Sequence, residues 1–344
     1  MGKLIQPIKE IIKSTMLYRL FSLDENGLNE VVKSYVDCVK DTDIVGLRRR
    51  MRNAYLLFGI PFRDFYQCRC DELTYAQISQ IVPLVEQRKL WRRVNSKESH
   101  DILCDKFKSY QLFKNFYKRD VVLLDGLESK DEYAAFSKTH PRFIVKPLGM
   151  TCGKGIHFID TLSNPVTIDN LMESFPNGLI AEELITQAQV LAQFHPTSVN
   201  TLRINTVNYG DSVEVKWPCL RIGRGGSIVD NAGAGGVFGA IDPNTGVIIA
   251  ASDEFHHSFA NHPDTDVPII GFQIPQWQEA CVLAEQLARC IPDCHFVGWD
   301  FALTDNGWVM VEGNYGPLLI WQIAVGRGIR KEFLQMKKHL FRKQ

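Results

Sequence analysis

The sequence predicts an α+β chain with a mainly helical N-terminal region, and three observations predict it. Apolar residues recur at helical spacing through residues 1–100. From Val121 onward, short apolar runs are broken by glycine, proline and asparagine turns, the pattern of strands. Residues 297–317 hold two such runs joined by Asp305-Asn306-Gly307, a hairpin signal.

Leu4, Ile5, Ile8, Ile11, Ile12, Met16, Leu17 and Leu20 mark a first helix, with Lys3, Lys9, Lys13 and Arg19 among them. Such a basic amphipathic helix docks on its own protein or lies on a membrane surface. Gln6 stands where lipidation of the Met1-Gly2 start would need Ser or Thr, so that modification is excluded. Asp24, Asn26 and Gly27 precede a helix over residues 28–39, and helical spacing continues through 47–57. Gly59-Ile60-Pro61 interrupts it, Thr74 caps a helix over 75–82, and 84–93 and 101–118 are further helices.

Strands follow at 121–124, 143–147 and 156–160. Lys146 alternates against Phe143 and Val145 and leaves their apolar face. Beyond it, three glycines in residues 149–155 suit either a tight turn or a phosphate cradle. The glycine spacing is not that of a Walker A loop. A helix over 164–175 leads to a strand over 178–185. In the strand over 197–207, Val199, Thr201, Arg203, Asn205 and Val207 share one face. A buried arginine there implies a paired core carboxylate or a bound anion. Strands over 213–222, 237–241 and 247–250 enclose the loop with Asp230 and Asn231. His256, His257 and His262 cluster locally, but adjacent histidines on a strand face opposite ways, which argues against a three-histidine metal site. A helix over 276–290 leads into the hairpin, and a basic helix over 330–344 ends the chain.

A three-residue hairpin loop with Gly307 left-handed would pair Thr304 with Trp308 and Asp300 with Glu312. Asn314 would share their face, with Trp299, Phe301, Val309 and Val311 opposite. Two facing carboxylates and an amide make either a solvated acidic hairpin or an all-oxygen site suited to Mg²⁺.

The totals exclude several classes. Lys plus Arg equals Asp plus Glu at 39 each, which argues against bulk nucleic-acid binding. Nine scattered cysteines lack the paired spacing of a zinc site and read as reduced thiols of a cytoplasmic protein. No apolar run reaches the ~18 residues of a membrane span.

Asp105-Lys106, Lys146-Pro147 with the glycine-rich loop, Glu182-Glu183-Leu184-Ile185, Asn200-Thr201-Leu202-Arg203, and Asp300 with Glu312-Gly313-Asn314 occur in one order. In that order the chain resembles the ATP-grasp superfamily. Around 200–206, 230–236 and 300–317 it resembles the sugar-transfer-associated ATP-grasp group. The resemblance implies two α+β subdomains clasping ATP. By that resemblance Lys106 and Lys146 hold phosphates, and the loop with Gly149, Thr151, Gly153, Lys154 and Gly155 folds over them. Glu182, Glu183, Leu184 and Ile185 serve adenine and ribose. Asp300, Glu312 and Asn314 hold one or two Mg²⁺. Arg203 and Lys146 are catalytic. One departure is Thr201, which stands where carboxylate-amine ligases often carry an acid.

The implied organisation is a helical region over 1–100, an ATP-grasp domain over 101–330 with subdomains near 121–185 and 186–330, and a basic C-terminal helix over 331–344. The implied activity is a carboxylate-amine ligase working through an acyl-phosphate, adding an amino acid to a sugar or polysaccharide precursor of capsule type. It would act in the cytoplasm or at the inner face of the membrane, touching it through the N-terminal helix. The alternatives are a kinase of the same fold, a non-catalytic membrane-associated subunit, and a zinc protein.

Overall fold

The computed structural model describes residues 16–38, 43–148, 155–255 and 257–342. The start of the basic amphipathic stripe and His256 lie outside the described residues.

Eight helices open the described chain: α1 (Met16–Phe21), α2 (Glu25–Cys38), α3 (Ile44–Phe58), α4 (Phe62–Gln67), α5 (Tyr75–Ile78), α6 (Leu84–Val94), α7 (Lys97–Leu103) and α8 (Lys106–Tyr117). Thr74 caps α5 as expected, in a capping box with Gln77. That helix ends at Ile78 rather than 82, with Ser79 as its C-cap. The single helix expected over 101–118 is two. Asp105 starts the second by accepting from the backbone N–H groups of Phe107 and Lys108, each at 3.0 Å. That cap fixes Lys106 at the first helical position.

Strands β1 (Val121–Leu124), β2 (Arg142–Pro147), β3 (His157–Asp160) and β4 (Leu179–Glu183) form an antiparallel sheet in the order β1-β4-β2-β3. Helices α9 (Lys130–Thr139) and α10 (Ile168–Ser174) cover it, packing Tyr133, Phe136, Ile168 and Leu171 with Phe143 and Val145. Helix α9 was not among the expected elements: Tyr133 and Phe136 are too few apolar positions to set a period.

A larger antiparallel sheet runs β10-β9-β5-β6-β7-β8, from β5 (Thr201–Asn208), β6 (Val213–Ile222), β7 (Val237–Ile241), β8 (Ile248–Ser252), β9 (Phe296–Thr304) and β10 (Gly307–Asn314). One face buries Leu202, Ile204, Leu220, Trp299 and Phe301 with α12 (Trp277–Cys290), which follows the short α11 (Gln189–Ala192). The other face is divided. At one end Val207, Cys219, Phe238 and Phe296 join a core with α2–α6, α13 (Trp321–Val325) and α14 (Arg330–Leu340). At the other end lie Thr201, Arg203 and Asp300. Asn95, just after α6, ties the helices to the apolar end of that face. Its side-chain amide donates to Phe296 O at 2.8 Å and Tyr315 O at 3.0 Å.

Candidate active site

The hairpin brings Glu312 opposite Asp300, and Asn314 opposite Gly298 on the same face. The path there differs from the expected one. Thr304 pairs with Gly307, not Trp308, so the loop is one residue shorter than expected. With that register alone, Asp300 would face Val311, and Glu312 would turn into the core. A bulge between Met310 and Glu312 leaves Val311 unopposed and restores the pairing. A further correction follows. Val309 opposes Ala302 and lies on the Asp300 face, while Trp308 and Met310 occupy the core face with Phe301 and Trp299. Val311 lines the cleft beside Glu312. Gly313 has room for no side chain: a Cβ there would sit 2.8 Å from Leu103 Cδ2 and 2.9 Å from Trp299 Cζ3.

Asp300 is buried and held by two guanidinium groups. Arg203 donates to both carboxylate oxygens, through Nε and through Nη2 at 2.8 Å. Arg221 donates Nη1 to Oδ2 at 2.9 Å. Burial alone would raise the Asp300 carboxyl, but Arg203 and Arg221 outweigh it and hold the group below its usual range. Arg221 also reaches Asp230 at 3.2 Å. Asp230 accepts from the Thr201 hydroxyl, and from the Thr201 N–H at 2.9 Å. The acid absent from position 201 is thus present beside it, supplied by a loop. Burial pushes the Asp230 carboxyl up against the opposing pull of Arg221. Sequence reasoning missed Arg221 as a site residue, although it alternates with Leu220 and Ile222 of the core face.

Glu312 reaches the cleft and keeps surface open to solvent. Loss of water at its inner side, then the Asp300 charge, push its carboxyl up; Lys146, Arg221 and Arg203 oppose them. The Asn314 amide nitrogen lies 3.3 Å from an oxygen of each acid. Its two amide positions are interchangeable in shape, so a half-turn presents oxygen to a cation. Two carboxylates and an amide oxygen fit a hard divalent ion.

The smaller sheet and α8 supply the opposite wall, where Lys106 and Tyr117 of α8 and Lys146 and Glu182 of the sheet line the same cleft. Lys146 Nζ lies 2.9 Å from Glu182 Oε1, and Lys106 Nζ donates to Pro147 O at 2.8 Å. Partial burial, then neighbouring Lys146, pull Lys106 below its usual value against Glu312. Glu182 is buried, and burial alone would raise it, but Lys146 and Arg119 hold it below the ordinary range. Its contribution to stability is therefore full above the unfolded value of about 4.3 and is lost as pH falls through the lower folded value. Accordingly, Glu182→Gln is less stable than the parent at pH 7, and urea unfolding over a pH series finds that gap narrowing below about pH 4. A gap that stays constant with pH would mean the charge is not its source.

Glu183 stands apart from this group. Its carboxylate accepts from Asp120 N–H at 3.1 Å, and it lies near His140 in a grouping distinct from the Asp300 site. Gly149, Thr151, Gly153 and Lys154 lie outside the described residues. Gly155, which follows them, has φ 73°, a conformation that favours glycine. Leu184 and Ile185 continue from β4 as the strand ends.

A family model described as sugar-transfer associated ATP-grasp matches residues 86–338. Among solved structures, the chain is similar to the D-alanine-D-alanine ligase from Coxiella burnetii at 10% identity and TM-score 0.44, covering 73% of this chain and 61% of that one. It is similar to the D-alanine-D-alanine ligase from Bacillus anthracis at 13% identity and TM-score 0.43, covering 78% and 77%. The N5-carboxyaminoimidazole ribonucleotide synthetase from Thermotoga maritima gives 12% identity and TM-score 0.39, covering 73% and 55%. This chain thus spans less than two thirds of the Coxiella and Thermotoga proteins. No curated protein matches it. Among the described residues, no helix is long and apolar enough to cross a membrane.

Proposed function

The chain belongs to the sugar-transfer associated ATP-grasp family, and on that premise we propose that it is an ATP- and Mg²⁺-dependent carboxylate-amine ligase. The observation that carries this reading is the cleft itself. Lys106 and Lys146 on one wall face Glu312 on the other, with Asp300, Asn314 and two arginines behind it. The division that goes with it is a helical region over 1–100, an ATP-grasp domain over 101–330 and a C-terminal helix beyond.

In this reading a substrate carboxylate oxygen attacks the terminal phosphorus of ATP and ADP leaves. An amine then attacks the acyl carbon, and inorganic phosphate and a proton leave. Lys106 and Lys146 bind and orient the phosphates, and positioning and charge supply most of the rate. Arg203 steadies the oxyanion formed when the amine attacks. Arg221, held between Asp230 and Asp300, keeps a second positive charge on the same face. Asp300, Glu312 and Asn314 would hold Mg²⁺, which when bound neutralises charge on the phosphoryl group in transfer. The family's sugar-transfer association supports a sugar-linked acceptor or acid, joined to an amino acid as in a capsule precursor.

The test is ADP release from the purified protein across paired amino acids and sugar acids, with mass spectrometry of the product. A ligase requires two co-substrates together and yields a product without phosphate. ADP release with a single hydroxyl acceptor, and a product that keeps phosphate, would replace the ligase by a kinase. No nucleotide turnover with any pair would remove the enzymatic reading.

A further inference from the structure

We infer that Arg119 is the positioning residue that aims Glu312 and joins it to the Lys146–Glu182 pair; this rests on the ligase reading above. Arg119 precedes β1 and is buried. Its Nη1 donates to Met310 O at 2.5 Å and its Nη2 to Val311 O at 3.3 Å. Those carbonyls flank the bulge that turns Glu312 out of the core and onto the Asp300 face. β10 is the edge strand of its sheet, and a carbonyl there that is shielded from water needs a donor from outside the sheet. The guanidinium supplies two, one for each carbonyl.

The same group faces the other sheet. Nε and Nη2 donate to Glu182 Oε2 at 3.2 and 2.9 Å, while Lys146 occupies Oε1. Nη1 also donates to Tyr117 O at 3.3 Å, and the guanidinium carbon lies 4.4 Å from the Tyr117 ring centre. Only a planar fork reaches all these acceptors at once, so lysine is no substitute.

This arrangement has a consequence for nucleotide binding. A phosphate that draws Lys146 away does not strand Glu182, since Arg119 still neutralises it. Without Arg119, the same movement would leave a buried carboxylate unpaired, which is strongly unfavourable. The guanidinium therefore frees Lys146 for phosphate while keeping Glu312 in register.

The experiment compares the full chain with Arg119→Lys, and with Arg119→Met as a second variant. Binding of ADP is followed by calorimetry across a Mg²⁺ series and in EDTA, beside thermal unfolding. In Arg119→Lys, the half-saturating Mg²⁺ concentration should rise about tenfold or more, the scale seen when a ligand's outer partner is lost. Binding in EDTA should change far less. A merely structural role would lower the folded fraction and the binding amplitude without moving the Mg²⁺ midpoint, and that result would overturn the inference. Misfolding of both variants would assign Arg119 to stability alone and overturn it equally. A parent chain that takes up no nucleotide would instead remove the ligase reading, and the inference with it.

Discussion

Glu312→Ala should lose ADP release by at least about a hundredfold while the protein stays folded. Glu312 keeps surface open to solvent and contributes to no apolar core. Truncating it therefore costs little stability, within about 1 kcal/mol. The chemistry loses more. Glu312 is the acid that faces both the lysine wall and Asp300, and no neighbouring side chain replaces it. Steady-state ADP release beside thermal unfolding separates the two effects. Near-normal turnover in the folded variant would remove Asp300, Glu312 and Asn314 as the cation site.

Asp300→Ala should act more severely on the fold. Removing that carboxylate leaves Arg203 buried without its counter-ion and strips Arg221 of one of two acids. Breaking a buried pair from one side costs about 3–5 kcal/mol. Arg221 keeps Asp230, so the loss should fall toward the lower end of that range. Urea unfolding at pH 7 measures it. A loss below about 1 kcal/mol would mean that water already reaches these guanidinium groups. Comparing the two variants separates the two acids: one chiefly serves chemistry, the other also ties β9 to β5 and β6.

Much of the site was legible in the sequence because strand alternation is a strict rule. Lys146 was placed off the apolar face of β2, and Arg203 was placed with Asn205 and Val207, as the register bears out. The facing of Asp300 and Glu312 was also legible, although the assumed loop was one residue too long. The bulge supplied the missing residue. This bulge, at Val311, has no glycine to signal it, and its carbonyls are met by a donor from elsewhere in the fold, Arg119. Arg119, Arg221 and Asp230 were hidden for the same reason. Each acts through partners distant along the chain, and spacing along one strand cannot reveal a loop folding back onto it. The break before Lys106 did carry a signal, since Asp105 favours a cap over a helix interior, but apolar spacing alone runs through it.

The divided face of the large sheet bears on how the protein can be cut. The family match starts at residue 86, within α6, so trimming to it would strip α2–α5 from the core they share with α6, α13 and α14. Gln322 and Arg330 would then lose Val82 and Ile81, the backbone partners of their side chains, and apolar surface of the remaining helices would meet water. Exposed apolar surface of that kind sticks to other copies before the chain can work. The helical preface is thus not a detachable accessory; it closes the core that backs the sheet on which the chemistry stands.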